Sequence, residues 1–292
     1  MIAIIRTLIL RFNGTVFKPL QHPTFSLSLL TREMNASKSA NKLGFLTQQL
    51  RLYRPPPLSP DDFEESYQST GSIVPHLMAD QSISTIHREF VPRIAAVLVC
   101  IYEGDKGDLR VILTKRSQRL SSHSGEVSLP GGKQEEGDKD VGETAKREAY
   151  EEIGLDPSLV NVVTTLQPVL SKHHLVVVPV LGILTNYKSF TPAINVAEVE
   201  EIFNVPLEMF IKDENHRVEE REMLGTKYLL QFFNYESEDG KSFVIWGLTA
   251  SVLIRVACLV YQKPPQFSVK DPKFKFPSDV VYDSLHTINS DF

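Results

Sequence analysis

An α/β domain with an extension at each end is what this sequence predicts, on three observations. Apolar runs of strand length, several rich in β-branched residues, recur between Pro92 and Pro264. Two segments in the same stretch, 141–153 and 247–262, carry helical patterns instead. Short turn-forming segments separate successive runs, so the runs fold back on one another.

In chain order, the first 42 residues stand apart. Arg6, Arg11, Lys18, Arg32, Lys38 and Lys42 face a lone acid, Glu33, among several Ser and Thr. A basic, acid-poor segment able to form an amphipathic helix resembles an organelle transit peptide, and residues 1–42 are assigned that role. Arg6 and Arg11 break "MIAIIRTLILRF" before a secretory apolar core can develop. Residues 43–54, "LGFLTQQLRLYR", space apolar side chains as a helix does and stop at "PPPLSP", because successive prolines cannot continue a helix. With the polar stretch 55–90 they make a helix and Pro-rich connector over 43–91. The compact domain is expected over 92–264, with a peripheral tail at 265–292.

Within that domain, "IAAVLVCIYE" (94–103) and "DLRVILTKR" (108–116) predict a strand pair around "GDKG". "VVTTLQPVL" (162–170) and "LVVVPVLGIL" (175–184) predict a second pair, since successive Val residues lose side-chain freedom in a helix. "KYLLQFFNYE" (227–236) and "KSFVIW" (241–246) bracket "SEDG" as a hairpin. Residues 247–262, "GLTASVLIRVACLVYQ", predict a mostly buried helix. Arg255 and the break between strand and helix argue against a membrane span there.

Composition bounds the function. The chain has 292 residues, 42% hydrophobic and 23% charged, enough for a sizeable core, and its formal charge of −5 lacks the basic field of a nucleic-acid binder. Two cysteines, Cys100 and Cys258, lie inside apolar runs. They read as buried apolar residues of a protein from a reducing compartment, not as a disulfide framework or catalytic thiols.

The helix at 141–153 poses the chemical question. Asp140 is its N-cap, and Gly154 suits the left-handed position beyond its last turn. Ala145, Ala149 and Ile153 form a narrow apolar stripe, Glu148 and Glu152 border it, and Glu151 lies further round. Like charges three and four apart repel by about 0.2–0.5 kcal/mol a pair, and carboxylates at the edge of a core are costlier still. A divalent cation removes both penalties, since Mg²⁺ takes carboxylate oxygens together with substrate phosphates. Arg147 can pair with Glu143 or Glu151, or clamp Asp138. "LPGG" upstream supplies a turn whose N–H groups can approach a phosphate or support the helix. On "REAYEEIG" alone, a solvated acidic helix face competes evenly with a cation socket.

The surroundings decide it. Gly132, five residues, Asp138, eight residues and then Arg147-Glu148-Ala149-Tyr150-Glu151-Glu152-Ile153-Gly154-Leu155 resembles the Nudix box. The family usually has Glu at the Asp138 position and seven residues before the Arg. A second block narrows the resemblance: Leu113-Thr114-Lys115-Arg116-Ser117, Leu120, His123, Gly125, Val127, Pro130, Gly131 and Gly132, with Ile112 leading. With the longer spacing and "IWGLTA" at 245–250, it resembles the coenzyme A diphosphatase branch, from about Arg93 to Pro264.

The resemblance implies a Nudix-type α/β/α sandwich around a mixed β-sheet, a Mg²⁺ or Mn²⁺ cofactor, and hydrolysis of coenzyme A or acyl-coenzyme A to 3′,5′-ADP and 4′-phosphopantetheine. Glu148 and Glu152, sharing a face at i, i+4, are the expected metal ligands. Glu151 is a third ligand or the base that deprotonates water, and Arg147 joins it as a catalytic-site residue. Glu198, in "AEVEE", is a candidate further acid. Lys115, Arg116, His123, Gly131 and Gly132 are expected to meet the substrate, the cations through its phosphates; a solvated strand end and a structural imidazole are the bland alternatives. His173 and His174 are assigned to a loop. A different nucleoside diphosphate derivative (ADP-ribose, a dinucleotide or an oxidised nucleotide) and a non-catalytic nucleotide-binding scaffold are the competing functions. The leader assigns the chain to mitochondria, with plastids as the alternative, and the terminal Asn289-Ser290-Asp291-Phe292 lacks a peroxisomal Ser-Lys-Leu address.

Overall fold

The computed structural model describes residues 10–12, 15–17, 42–55, 93–170, 175–223 and 226–270. Most of the assigned leader, the connector from 56 to 92, the His173–His174 pair and the tail beyond 270 lie outside the described residues. Within the leader the described residues are two short strands, β1 (Leu10–Phe12) and β2 (Thr15–Phe17), paired antiparallel, and Lys42, which opens the first helix.

Helix α1 (Lys42–Arg51) precedes the main sheet, which is built on strand β3 (Arg93–Glu103). Strand β4 (Leu109–Arg116) returns antiparallel to β3, as the turn at 104–107 predicts. Two short strands follow, β5 (Val127–Ser128) on β4 and β6 (Gly131–Lys133) on β3. Helix α2 (Val141–Ile153) leads to β7 (Val160–Thr165), β8 (Val169–Leu170) and β9 (Leu175–Leu184). The expected strand 162–170 is thus two pieces, divided before Pro168, which has no N–H to give a ladder. Strand β9 runs parallel to β3 and antiparallel to β7 and β8. Strand β10 (Val199–Pro206) closes the other edge on β4, giving the order β10-β4-β3-β9-β7. A separate antiparallel sheet comprises β11 (His216–Met223), β12 (Thr226–Glu236) and β13 (Ser242–Trp246), and α3 (Gly247–Tyr261) follows it.

The sheet is mixed and covered on both faces, as an α/β/α sandwich requires. Strand alternation sorts the central strand: Ala96, Leu98, Cys100 and Tyr102 join the core under α2, with Val141, Ala145, Ala149 and Ile153. Val99 and Ile101 join the opposite core, where α3 packs along with Leu46 and Leu50 of α1. Val252, Leu253, Ile254, Val256 and Ala257 are essentially buried, which explains why α3 is apolar on almost every side. Among the described residues no helix is long and apolar enough to cross a membrane. Cys100 and Cys258 are free and buried, and burial pushes both thiols up to about 12, so they are packing residues.

Candidate active site

Helix α2 begins and ends where its capping residues dictate. The Asp140 carboxylate accepts the N–H of Glu143 at 2.7 Å, and Gly154 takes φ 72°, the left-handed conformation that glycine adopts without strain. Between these ends, Ala145, Ala149 and Ile153 are buried and fix the helix's rotation on the sheet. That rotation grades the acids. Glu152 is only 2% exposed, Glu148 keeps 14% of its side chain exposed, and Glu151 keeps 50%.

The glycines of "LPGG" make this burial possible. The Gly131 N–H donates to Glu152 Oε2 at 3.2 Å, so this amide serves a carboxylate of the helix. A side chain at Gly131 would meet the Ala96 carbonyl oxygen at 2.3 Å; one at Gly132 would meet the Glu148 carboxylate at 2.5 Å. Both glycines therefore let strand β6 lie against the acidic side of α2. Burial pushes the Glu152 carboxyl up to about 7, against the pull of the Gly131 N–H and Arg116, and raises Glu148 as well.

Arg147 braces this corner. Its guanidinium grips Asp138 in a two-pronged pair, Nε to Oδ1 and Nη2 to Oδ2, both at 2.9 Å. It also reaches Glu148 Oε1 and Glu151 Oε2, each at 3.1 Å, and the Lys133 carbonyl at 2.9 Å. Asp138 further accepts from the Glu135 N–H and the Thr144 hydroxyl, and the Arg147 hydrogen bonds above all hold its carboxyl down to about 2. The shorter acid and longer loop thus still reach the arginine. Glu143, an alternative partner for Arg147, pairs instead with Lys139.

Strand alternation separates the two adjacent cations of β4. Ile112 packs in the core beneath α2, and Arg116, four residues on, lies on the same side of the strand. Arg116 comes 3.9 Å from Glu152 Oε1, and its buried Nε makes no hydrogen bond among the described residues. Lys115 shares the side of Leu113 in the opposite core, and its ammonium pairs with Glu200 at 2.7 Å. His123 lies on the loop from β4 to β5, at φ 55°, with Nδ1 2.9 Å from Glu126 Oε2. The structure therefore brings Glu148, Glu152, Gly131, Gly132 and Arg116 together, sets Arg147 and Glu151 at the rim, and gives Lys115 and His123 carboxylate partners elsewhere.

Glu198 lies next to Arg116 in space, its carbonyl accepting the Ser117 N–H at 2.8 Å, and its negative charge adds to the upward push on Glu148 and Glu152. Asn195, whose side chain contacts Glu198, was not singled out by the sequence; "NVAEVE" offers an Asn two residues before Ala197, a turn signal that says nothing of a carboxylate partner.

The donor chemistry suits a hard divalent cation. Among the described residues the acids of this corner meet no thiol or imidazole, and the cationic group nearest the buried Glu152 carboxylate is Arg116, 3.9 Å away. Among the described residues, however, no group of three or more acidic, His or Cys side chains is arranged to hold a metal ion. Arg147 occupies part of that role by holding Glu148 and Glu151.

Comparison with known proteins finds relatives of this chain. A profile of the NUDIX domain matches residues 92–225. "Nudix hydrolase 15, mitochondrial" of Arabidopsis thaliana is 56% identical over 220 residues, 74% of this chain and 77% of that protein. "Nudix hydrolase 22, chloroplastic" of the same plant is 54% identical over 241 residues, 81% of this chain and 79% of its own length. The mouse (Mus musculus) "Peroxisomal coenzyme A diphosphatase NUDT7" is 35% identical over 164 residues, 56% of this chain and 69% of that protein.

Proposed function

This chain belongs to the Nudix family, and we propose that it is a Mg²⁺- or Mn²⁺-dependent hydrolase that cleaves the diphosphate of coenzyme A, and of acyl-coenzyme A, to 3′,5′-ADP and 4′-phosphopantetheine. The observation that carries the reading is the meeting of Glu148 and Glu152 with the Arg116 guanidinium around Gly131–Gly132. A diphosphate resists hydrolysis because its oxygens repel the attacking water and its leaving phosphate is poor. A bound divalent cation would neutralise those oxygens and acidify the water. Glu148 and Glu152 supply its oxygen ligands, and the glycine pair keeps both carboxylates in place. Glu151, the most exposed of the three and paired with Arg147, accepts the proton from water or serves as a third ligand. Arg147 holds the loop and the acids in register through Asp138. Arg116 presents a buried, unbonded Nε–H that a phosphate oxygen can satisfy.

Support for the coenzyme A substrate is the Ile112-to-Gly132 block together with similarity to a mouse relative whose name states that activity. An organellar location is supported by the basic first 42 residues and by plant relatives named mitochondrial and chloroplastic. Purified chain offered coenzyme A, ADP-ribose and NADH with Mg²⁺, with products separated by chromatography, tests the substrate. Release of 3′,5′-ADP from coenzyme A is the expected outcome. Preference for ADP-ribose would reject the substrate, and inertness toward all three would point to a scaffold. A fluorescent protein fused behind residues 1–42 is expected in mitochondria or plastids; diffuse cytosolic signal would contradict the address.

A further inference from the structure

The segment between Phe190 and β10 is fastened to the end of α2. Ala193 and Asn195 donate their backbone N–H groups to the carbonyls of Ile153 and Glu152, at 2.9 and 3.0 Å. These are among the carbonyls that a helix end leaves without partners. Gly154 permits the approach, since a Cβ there would stand 2.7 Å from the Ala193 Cβ.

Asn195 then turns the chain back toward the carboxylates. Its carbonyl accepts the N–H groups of Glu198 and Val199, at 3.0 and 2.8 Å, and its Oδ1 accepts the Ala197 N–H at 3.2 Å. Its side-chain Nδ2 donates to Glu198 Oε1 at 3.1 Å. The Glu198 carbonyl accepts the Ser117 N–H at 2.8 Å, which pins the residue beside Arg116. One residue thus joins the backbone of Glu152 to the carboxylate of Glu198.

We propose that Asn195 is a positioning residue of the hydrolytic site, its amide fixing the Glu198 carboxylate on the turn that joins the Glu152 backbone to Ser117 so that this acid can serve the site together with Glu148 and Glu152. This inference rests on the hydrolase reading above. An amide is the side chain suited to the task, with an oxygen to accept the turn's N–H and a nitrogen to donate to a carboxylate. Aspartate would keep the first contact, lose the second and repel Glu198.

The test uses the full chain with Asn195→Ala, Asn195→Asp, Glu198→Gln and the Asn195→Ala/Glu198→Gln double variant. Two quantities are read: kcat and KM for coenzyme A with Mg²⁺, and the Kd for Mn²⁺ by electron paramagnetic resonance. Asn195→Asp, which keeps the turn, is expected to lose about tenfold or more in kcat while KM stays within about twofold. Asn195→Ala and Glu198→Gln are each expected to weaken Mn²⁺ binding, and the double variant should be no worse than Glu198→Gln alone in either readout. Wild-type kcat in Asn195→Asp would overturn the proposal, showing that Asn195 only makes the turn; so would losses that multiply in the double variant. If the wild type hydrolyses none of the diphosphates, the hydrolase reading fails separately. The Mn²⁺ cycle then decides alone, and unchanged affinity in Asn195→Ala overturns the positioning role.

Discussion

At residue 132 the site depends on the side chain that is missing. A Cβ there would press on three atoms of the Glu148 carboxylate at 2.5 Å, and those atoms are the far end of a flexible side chain. Gly132→Ala is therefore expected to displace the carboxylate and leave the fold standing: turnover of coenzyme A falls about tenfold or more, while unfolding free energy changes by less than about 1 kcal/mol. Steady-state kinetics beside chemical denaturation checks both halves, and full activity would show that Glu148's position is irrelevant. Asp138 makes a prediction about acid. Its carboxyl is lowered from 3.8 to about 2, so its contribution to stability is complete above pH 3.8 and lost as pH falls toward 2. An acid-unfolding series should show that increment in the wild type and lack it in Asp138→Asn. The sequence made the identities and order of Glu148, Glu151 and Glu152 legible because helical spacing alone sets which acid is nearest the apolar stripe. It did not disclose that Arg116 approaches Glu152, since the strand's facing decides which of two adjacent cations does so. Nor did it disclose Asn195, whose role is a hydrogen bond made within a turn.

At the scale of elements, α2 is the part most fully specified by its own residues. Cap, apolar stripe and terminal glycine all agree, and the helix spans Val141–Ile153 as they predict. Ile153 anchors it with no solvent exposure, so Ile153→Ala should cost about 2–5 kcal/mol by the lost contacts and the cavity left behind. Urea denaturation measures this, and a loss under 1 kcal/mol would mean that the core under α2 collapses around the gap. The apolar strands were equally readable, because β3, β4 and β9 are continuous hydrophobic runs that the sheet buries. Strands β10 and β11 were not. "VEEIFNVP" and "HRVEEREM" are rich in charge, and pairing with β4 and β12 supplies what their own composition does not. Edge strands commonly carry such charges, which discourage pairing with other chains.

At the scale of the molecule, the sandwich places the candidate site at a seam between elements. Helix α2 covers one face of the sheet, β6 and the following loop pass along its acidic side, and the turn before β10 closes over its C-terminal end. The acids are held apart from solvent to different degrees by this packing, which turns an unfavourable row of like charges into a site graded from buried to exposed. The account's central claim is that this arrangement binds a divalent cation through Glu148 and Glu152. Mn²⁺ titration followed by electron paramagnetic resonance, comparing the wild type with Glu152→Gln, tests it most directly. The account predicts saturable binding by the wild type and an affinity weaker by about tenfold or more in the variant, with folded circular dichroism in both. Equal Mn²⁺ affinity in the two proteins would contradict it.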